Sequence, residues 1–178
     1  MNQPLRKPPV KRKIFFSFHF DGDFWRTQQV RNIGAIEGNS VVTANMWEEI
    51  KKSGDAAIEK WIDENLDNKS CLILLIGKDT ADRKWIEYEI KKAWKLGKGV
   101  VGIRIHNLKN QEGKQSTAGK NPFVGFTLCN RKVKWADIVK VNNPPQSTST
   151  GVYNYISENI KDWIEEAIKI RKEFECPK

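Results

Sequence analysis

Trp85 and Glu89 stand four residues apart in the run Arg83-Lys84-Trp85-Ile86-Glu87-Tyr88-Glu89-Ile90. On a helix that spacing places an indole and a carboxylate on adjacent turns of the same side. At roughly 100° per residue, Ile86, Ile90, Ala93 and Trp94 form one apolar stripe; Trp85 and Glu89 lie along one flank of it and Glu87 along the other. An acid beside an aromatic wall suits a ligand with flat rings and a developing positive charge. The ordinary alternative is a surface Glu89 that pairs with Lys91 or Lys92, next to a Trp85 that simply joins the core.

The preceding residues decide where this helix would sit. Cys71-Leu72-Ile73-Leu74-Leu75-Ile76 is wholly apolar, the pattern of a strand buried on both faces of a parallel sheet. Gly77-Lys78-Asp79-Thr80 then ends the strand at the carboxyl edge, where open α/β sheets bind small molecules. Along the chain, strand and helix alternate. Ile14–Phe18 reads as a first strand and Phe24–Ile33 as a first helix, with Asp21 or Asp23 as its N-cap. Ser40–Thr43 reads as an edge strand, Trp47–Lys52 as a short helix, and Ile58, Trp61, Ile62 and Leu66 mark a longer one. The helix carrying Glu89 stops near Leu96-Gly97. Val100–Ile105 is a fourth strand, Val133–Trp135 a fifth and Tyr153–Phe174 the closing helix. Residues 107–122 read as an exposed loop kept out of the core, and 142–151 as an irregular connection.

This alternation predicts a three-layer, flavodoxin-like α/β domain with a five-stranded, mostly parallel sheet in the order 2-1-3-4-5. Its switch point falls between the first and third strands. Ser17-Phe18-His19-Phe20-Asp21 should therefore face Lys78-Asp79-Thr80, with Trp85 and Glu89 close by. Residues 1–12 read as a basic extension and 13–178 as a single domain, consistent with 178 residues, 39% hydrophobic content and seven tryptophans. No stretch approaches the roughly 20 apolar residues of a membrane span, and residues 1–9 lack the apolar middle of a secretory leader. The three cysteines form no CxxC pair, so unpaired thiols, a reducing compartment and a cytoplasmic location are expected. The net charge of +9 attracts polyanions. Its lysines are scattered along helix faces without a nucleic-acid-binding motif, however, and this argues against nucleic acid as a partner.

Taken in order, Phe15-Phe16-Ser17-Phe18-His19-Phe20, Trp47-Glu48-Glu49-Ile50-Lys51-Lys52, Leu75-Ile76-Gly77, Trp85-Ile86-Glu87-Tyr88-Glu89-Ile90 and Asn121-Pro122-Phe123 resemble the TIR-like domains of bacterial Thoeris antiphage systems, specifically their B-type sensor component. The resemblance runs from about Lys13 to Phe126. It implies cleavage of the nicotinamide–ribose bond of NAD+ and release of a cyclic ADP-ribose-type signal to a partner effector. A phage protein as trigger and a homo-oligomer as the active form are also implied. NAD+ would be a substrate, so neither a resident cofactor nor a metal is expected. In the family the catalytic glutamate follows a tryptophan by four residues, which carries over to Glu89 and Trp85. Residues 44–55 resemble the loop that covers the substrate and mediates assembly.

The remaining candidates have two readings each. Ser17 and Asp23 either contact ribose or phosphate, or cap the first helix. Phe18 belongs to the segment leaving the first strand and is assigned to substrate binding with them. His19 is a substrate contact or a hydrogen-bonded structural residue, and Trp47 touches substrate or braces its loop. The alternative function is a non-catalytic TIR module that binds partners or a nucleotide. A phosphoacceptor domain is disfavoured because the third strand ends in Gly77 where an aspartate would be needed.

Overall fold

The computed structural model describes residues 11–34, 36–38 and 43–177. In chain order the elements are β1 (Arg12–Phe18), α1 (Phe20–Arg31), β2 (Ile36–Gly38), α2 (Ala44–Lys52), α3 (Asp55–Leu66), β3 (Cys71–Ile76), α4 (Lys84–Lys95), β4 (Gly99–Arg104), β5 (Thr127–Leu128), β6 (Val133–Lys134), β7 (Val141–Asn142) and α5 (Ser149–Glu173). Five strands form one sheet in the order β2-β1-β3-β4-β7, and every neighbouring pair is parallel. This is the flavodoxin-like arrangement expected, and its switch point lies at β1 and β3.

The sheet divides the core into two layers. Ile14 and Phe16 of β1 face α1 and α5, where they join Val30, Val152, Ile156, Ile160 and Ile164. Phe15 faces the other way, toward Ile58, Ile62 and Leu66 of α3 and Ile86, Ile90 and Ala93 of α4. All six residues of β3 are fully buried, as a strand covered on both faces must be. The stripe expected on α4 is the face it buries.

Several elements differ from the sequence reading. The Ser40–Thr43 strand falls at 40–42 outside the described residues. Thr43 instead caps α2, its hydroxyl accepting the Met46 backbone N–H at 3.3 Å, and Ile36–Gly38 is the strand that pairs with β1. The fifth strand of the sheet is β7, which pairs with Gly102 and Ile103. Val133 and Lys134 pair antiparallel with Thr127 and Leu128, because Cys129, Asn130 and Arg131 take left-handed φ of 56°, 55° and 69° and turn the chain back. Trp135 then enters a 3-10 turn and is 2% exposed. The N-cap position of α1 is His19, so neither Asp21 nor Asp23 caps it. The closing helix begins earlier, at Ser149, capped by the Thr148 side chain.

The long connection after β4 is not excluded from the core. Leu108 is fully buried in the layer under α1 and α5. Arg26 of α1 holds the segment from inside, Nε donating to the Leu108 carbonyl at 2.8 Å and Nη2 to the Lys114 carbonyl at 3.2 Å. Arg104 Nη1 donates to the Gly119 carbonyl at 2.6 Å. Polar composition hid this because the loop is satisfied by side chains donating to its backbone.

Cys129 and Cys176 are joined in a disulfide with a Cα–Cα separation of 5.4 Å, which overturns the expectation of three separate thiols. Such bridges are rare in reducing compartments, so this pair is the feature at odds with the cytoplasmic expectation. Cys71 is free and buried. No described helix is long and apolar enough to cross a membrane. Replacing Leu108 by Ala should lower stability by about 2–5 kcal/mol in urea unfolding. A loop lying on the surface would lose less than about 0.5 kcal/mol.

Candidate active site

The turn that follows β3 is tied down before it reaches α4. The Gly77 N–H donates to Thr80 Oγ1 at 2.9 Å, and Arg83 Nε donates to the Asp79 carbonyl at 2.8 Å. A Cβ on Gly77 would lie 2.0 Å from Asp23 Oδ2, so glycine is required for the turn to seat on α1. Between this turn, the end of β1, and α2 to α4 lies a cavity of about 680 Å³. Phe18, His19, Trp47, Trp85 and Glu89 all line it. The cavity opens at the switch point of the sheet, where this fold class binds ligands.

Glu89 is only 7% exposed. One oxygen, Oε2, accepts the hydroxyl hydrogen of Ser17, itself 1% exposed; Oε1 accepts no hydrogen bond among the described residues. The lysines that a surface glutamate would use are engaged elsewhere: Lys91 with Glu87 at 3.6 Å and Lys92 with Asp63 at 2.6 Å. No described cation pairs with Glu89. Burial pushes its carboxyl from an ordinary 4.5 up to about 8, and the Ser17 hydrogen bond works against that rise.

Two aromatic walls flank the carboxyl. On one side stands Trp85, half-buried, edge-on to Tyr88 at 6.0 Å between centroids, with Lys84 Nζ 4.5 Å over its ring. On the other, Phe20 stacks on Phe18 at 5.9 Å and on Trp47 at 6.3 Å, and Trp47 meets Trp61 edge-on at 6.0 Å. Trp47 therefore both braces the aromatic wall and faces the cavity. His19 presents its ring to the cavity; its Nδ1 is buried without a partner. Desolvation and the nearby Arg83 charge both lower its pKa, which favours a neutral imidazole.

Two of the sequence candidates lie outside the cavity lining. Ser17 sits beneath it, on the sheet side of Glu89. Asp23 is 2% exposed and turns into the protein, Oδ1 accepting from Arg26 Nη1 at 3.2 Å. Burial raises its pKa, and Arg26 opposes the rise. It lies between α1 and the Gly77 turn.

Sequence reasoning did not assign Trp61 or the cationic rim. Trp61 falls within the apolar spacing of α3, although Ile58 and Ile62, an i, i+4 pair, already fill the core-facing stripe with Leu66. Lys51, Lys78, Arg83 and Lys84 line the mouth; in a chain with scattered lysines nothing singles them out. The Ser17–Glu89 pair did carry a signal: Ser17 falls on the Phe15 face of a buried strand, where a hydroxyl needs a partner. The described residues contain no cluster of three or more His, Cys, Asp and Glu placed to hold a metal ion. The site thus offers one buried acid, aromatic walls, and a rim that carries cations beside the carboxylates of Asp21, Asp79 and Asp82. That layout fits a ligand with flat rings, an anionic linker and a reacting centre that becomes positive.

Residues 15–110 match the family model described as Thoeris protein ThsB, TIR-like domain. A protein of Bacillus cereus (strain MSX-D12) named "Putative cyclic ADP-D-ribose synthase ThsB1" is 37% identical over 120 residues, covering 64% of this chain and 62% of that protein. The match thus spans a little under two thirds of the relative's length. All the candidate residues, from Ser17 to Glu89, fall inside the family-matched segment.

The buried acid makes stability depend on pH in a defined direction. The folded chain keeps the Glu89 proton up to about pH 8, whereas the unfolded chain releases it near 4.5. The contribution of Glu89 is therefore most favourable below pH 4.5 and is lost as the pH rises toward 8. Glu89→Gln removes this dependence. Between pH 5 and pH 9 it should gain on the order of a few kcal/mol relative to the wild type, read as a growing difference in Tm. A difference that stays constant with pH would rule out a carboxyl held protonated by burial.

Proposed function

The chain belongs to the Thoeris ThsB family of TIR-like domains, and from that premise we propose that it cleaves the nicotinamide–ribose bond of NAD+ and releases a cyclic ADP-ribose-type product. The observation that carries this reading is Glu89: a buried carboxyl that no described cation pairs with, four residues after an indole that lines the same cavity of about 680 Å³. An uncompensated acid in such a place suits a ligand that brings the positive charge itself.

The chemistry needs one carboxylate. Glycosidases that expel an alkoxide use a second acid to protonate it, but nicotinamide leaves NAD+ as a neutral molecule from a cationic ring. Ionised Glu89 would accept hydrogen bonds from the ribose hydroxyls and stabilise the oxocarbenium-like transition state. Trp85 would pack against the nicotinamide or ribose, and the cations at the mouth would face the pyrophosphate. Water completes hydrolysis; a nucleophile from the other half of the same dinucleotide closes the ring. Walls formed by Phe18, Phe20 and Trp47 exclude water and favour closure. The product then reaches a partner effector by diffusion, with assembly of the chain or a phage protein as the trigger. The relative's name supports cyclase activity.

Glu89→Ala should lower nicotinamide release by about a hundredfold or more while the protein stays folded, and Trp85→Ala should lower it less. Undiminished release from a folded Glu89 variant would end the proposal. Because the ionised carboxyl is the active form, kcat/KM for NAD+ should rise with pH and level off above about 8, measured by chromatography of nicotinamide and of the nucleotide product.

A further inference from the structure

We propose that Ser17 is the positioning residue of Glu89: its hydroxyl ties Oε2 to the floor of the sheet and so leaves Oε1 as the atom presented to substrate. The inference rests on the glycohydrolase reading for its consequence, and on geometry for its content. Ser17 pairs with Leu74 in the β1–β3 ladder, so its Cα is fixed by two central strands. It lies on the Phe15 side of β1, facing α4, and is absent from the cavity lining. Its hydroxyl approaches the carboxyl from beneath, in a place that substrate does not reach. A ligand contact made from the floor would have to pass through Glu89.

The hydroxyl suits either state of its partner. It donates to the carboxylate and can accept from the protonated acid, so the tether survives a change of charge at Glu89. As a donor it favours the ionised form, in a site where no cation does so. The other charged groups face the cavity from its rim: His19 and Asp21 after β1, Lys78, Asp79, Asp82 and Arg83 in the turn after β3, Lys84 on α4. From the remaining sides come Arg31 of α1, Lys51 of α2 and Lys120 of the connection after β4. None of them forms an ion pair with Glu89, and Lys51, Lys84 and Lys120 are engaged by Glu48, Asp55 and Asp82. Ser17 is thus the only described side chain hydrogen-bonded to the acid.

The test compares wild type, Ser17→Ala and Ser17→Thr by infrared titration of the Glu89 carboxyl, with Glu89→Gln as the blank that assigns the band, alongside nicotinamide release from NAD+ as a function of pH. In Ser17→Ala the Glu89 midpoint should move up by about one pH unit, and kcat/KM at pH 7 should fall about tenfold and recover as the pH is raised. Ser17→Thr, which keeps the hydroxyl, should restore both. A Glu89 midpoint unchanged by Ser17→Ala would overturn the proposal, whatever happens to activity or stability. A midpoint shifted in Ser17→Ala, together with a wild-type protein that releases no nicotinamide when assembled or triggered, would support the pairing and overturn the glycohydrolase reading.

Discussion

Removing one carboxyl group from water at the carboxyl edge of the sheet is the constraint around which this molecule is organised. A buried acid with no counter-charge either binds a proton or must be stabilised by donors aimed at it. Glu89 has one neutral donor and is held largely protonated by burial. Such a group is tolerated only where the surroundings cannot relax to hydrate it. The packing around the site meets that need: an entirely buried β3, a turn seated by Gly77 against Asp23, and a helix whose Ile86, Ile90 and Ala93 lock it onto the sheet.

The same logic gives Asp23 and Arg26 their place. They form a buried ion pair, so this acid, unlike Glu89, is compensated, and Arg26 also donates to the carbonyls of Gly22, Leu108 and Lys114. That network joins α1 to the connection after β4 and supports the turn that leads to α4. Two buried acids one turn of chain from the same edge thus have opposite character. One is neutralised by its neighbours and braces the frame; the other is left uncompensated and faces the cavity. Pairing, not burial, separates the structural acid from the candidate catalytic one.

Local periodicity made the fold legible where elements are long and one-sided. The β3 run and the α4 stripe follow from hydrophobic spacing, and the strand order with its switch point from the commonest arrangement of a five-stranded flavodoxin-like sheet. The site centre followed from the same register, because Trp85 and Glu89 share a flank. Short elements failed for the converse reason. Two-residue strands such as Val133–Lys134 and Val141–Asn142 carry no period, and which of them joins the sheet is settled by long-range contacts, including Trp135 packing against Trp94 and Phe123. Asp23 looked like a helix cap because acids at helix starts usually are; tertiary pairing with Arg26 overrode that preference. Leu108 was invisible among polar neighbours, since a single apolar anchor leaves no pattern.

The distribution of charge also bears on why one neutral imidazole and one acid occupy the same cavity. A protonated His19 would add a positive charge to the lining of a cavity proposed to take a cationic ligand. Burial and Arg83 instead disfavour the charged ring, so His19 adds no charge to the cavity that holds the proton-binding Glu89, and none of the described lysines and arginines of the lining forms an ion pair with that acid. A dinucleotide with an anionic pyrophosphate and a cationic nicotinamide would use both the cations of the lining and the uncompensated acid. On entry the ring's positive charge would favour release of the Glu89 proton, producing the anion where the ribose begins to acquire positive charge. A dinucleotide with a neutral reduced ring would give no such assistance, so the arrangement couples recognition of the oxidised form to creation of the group proposed to act on it.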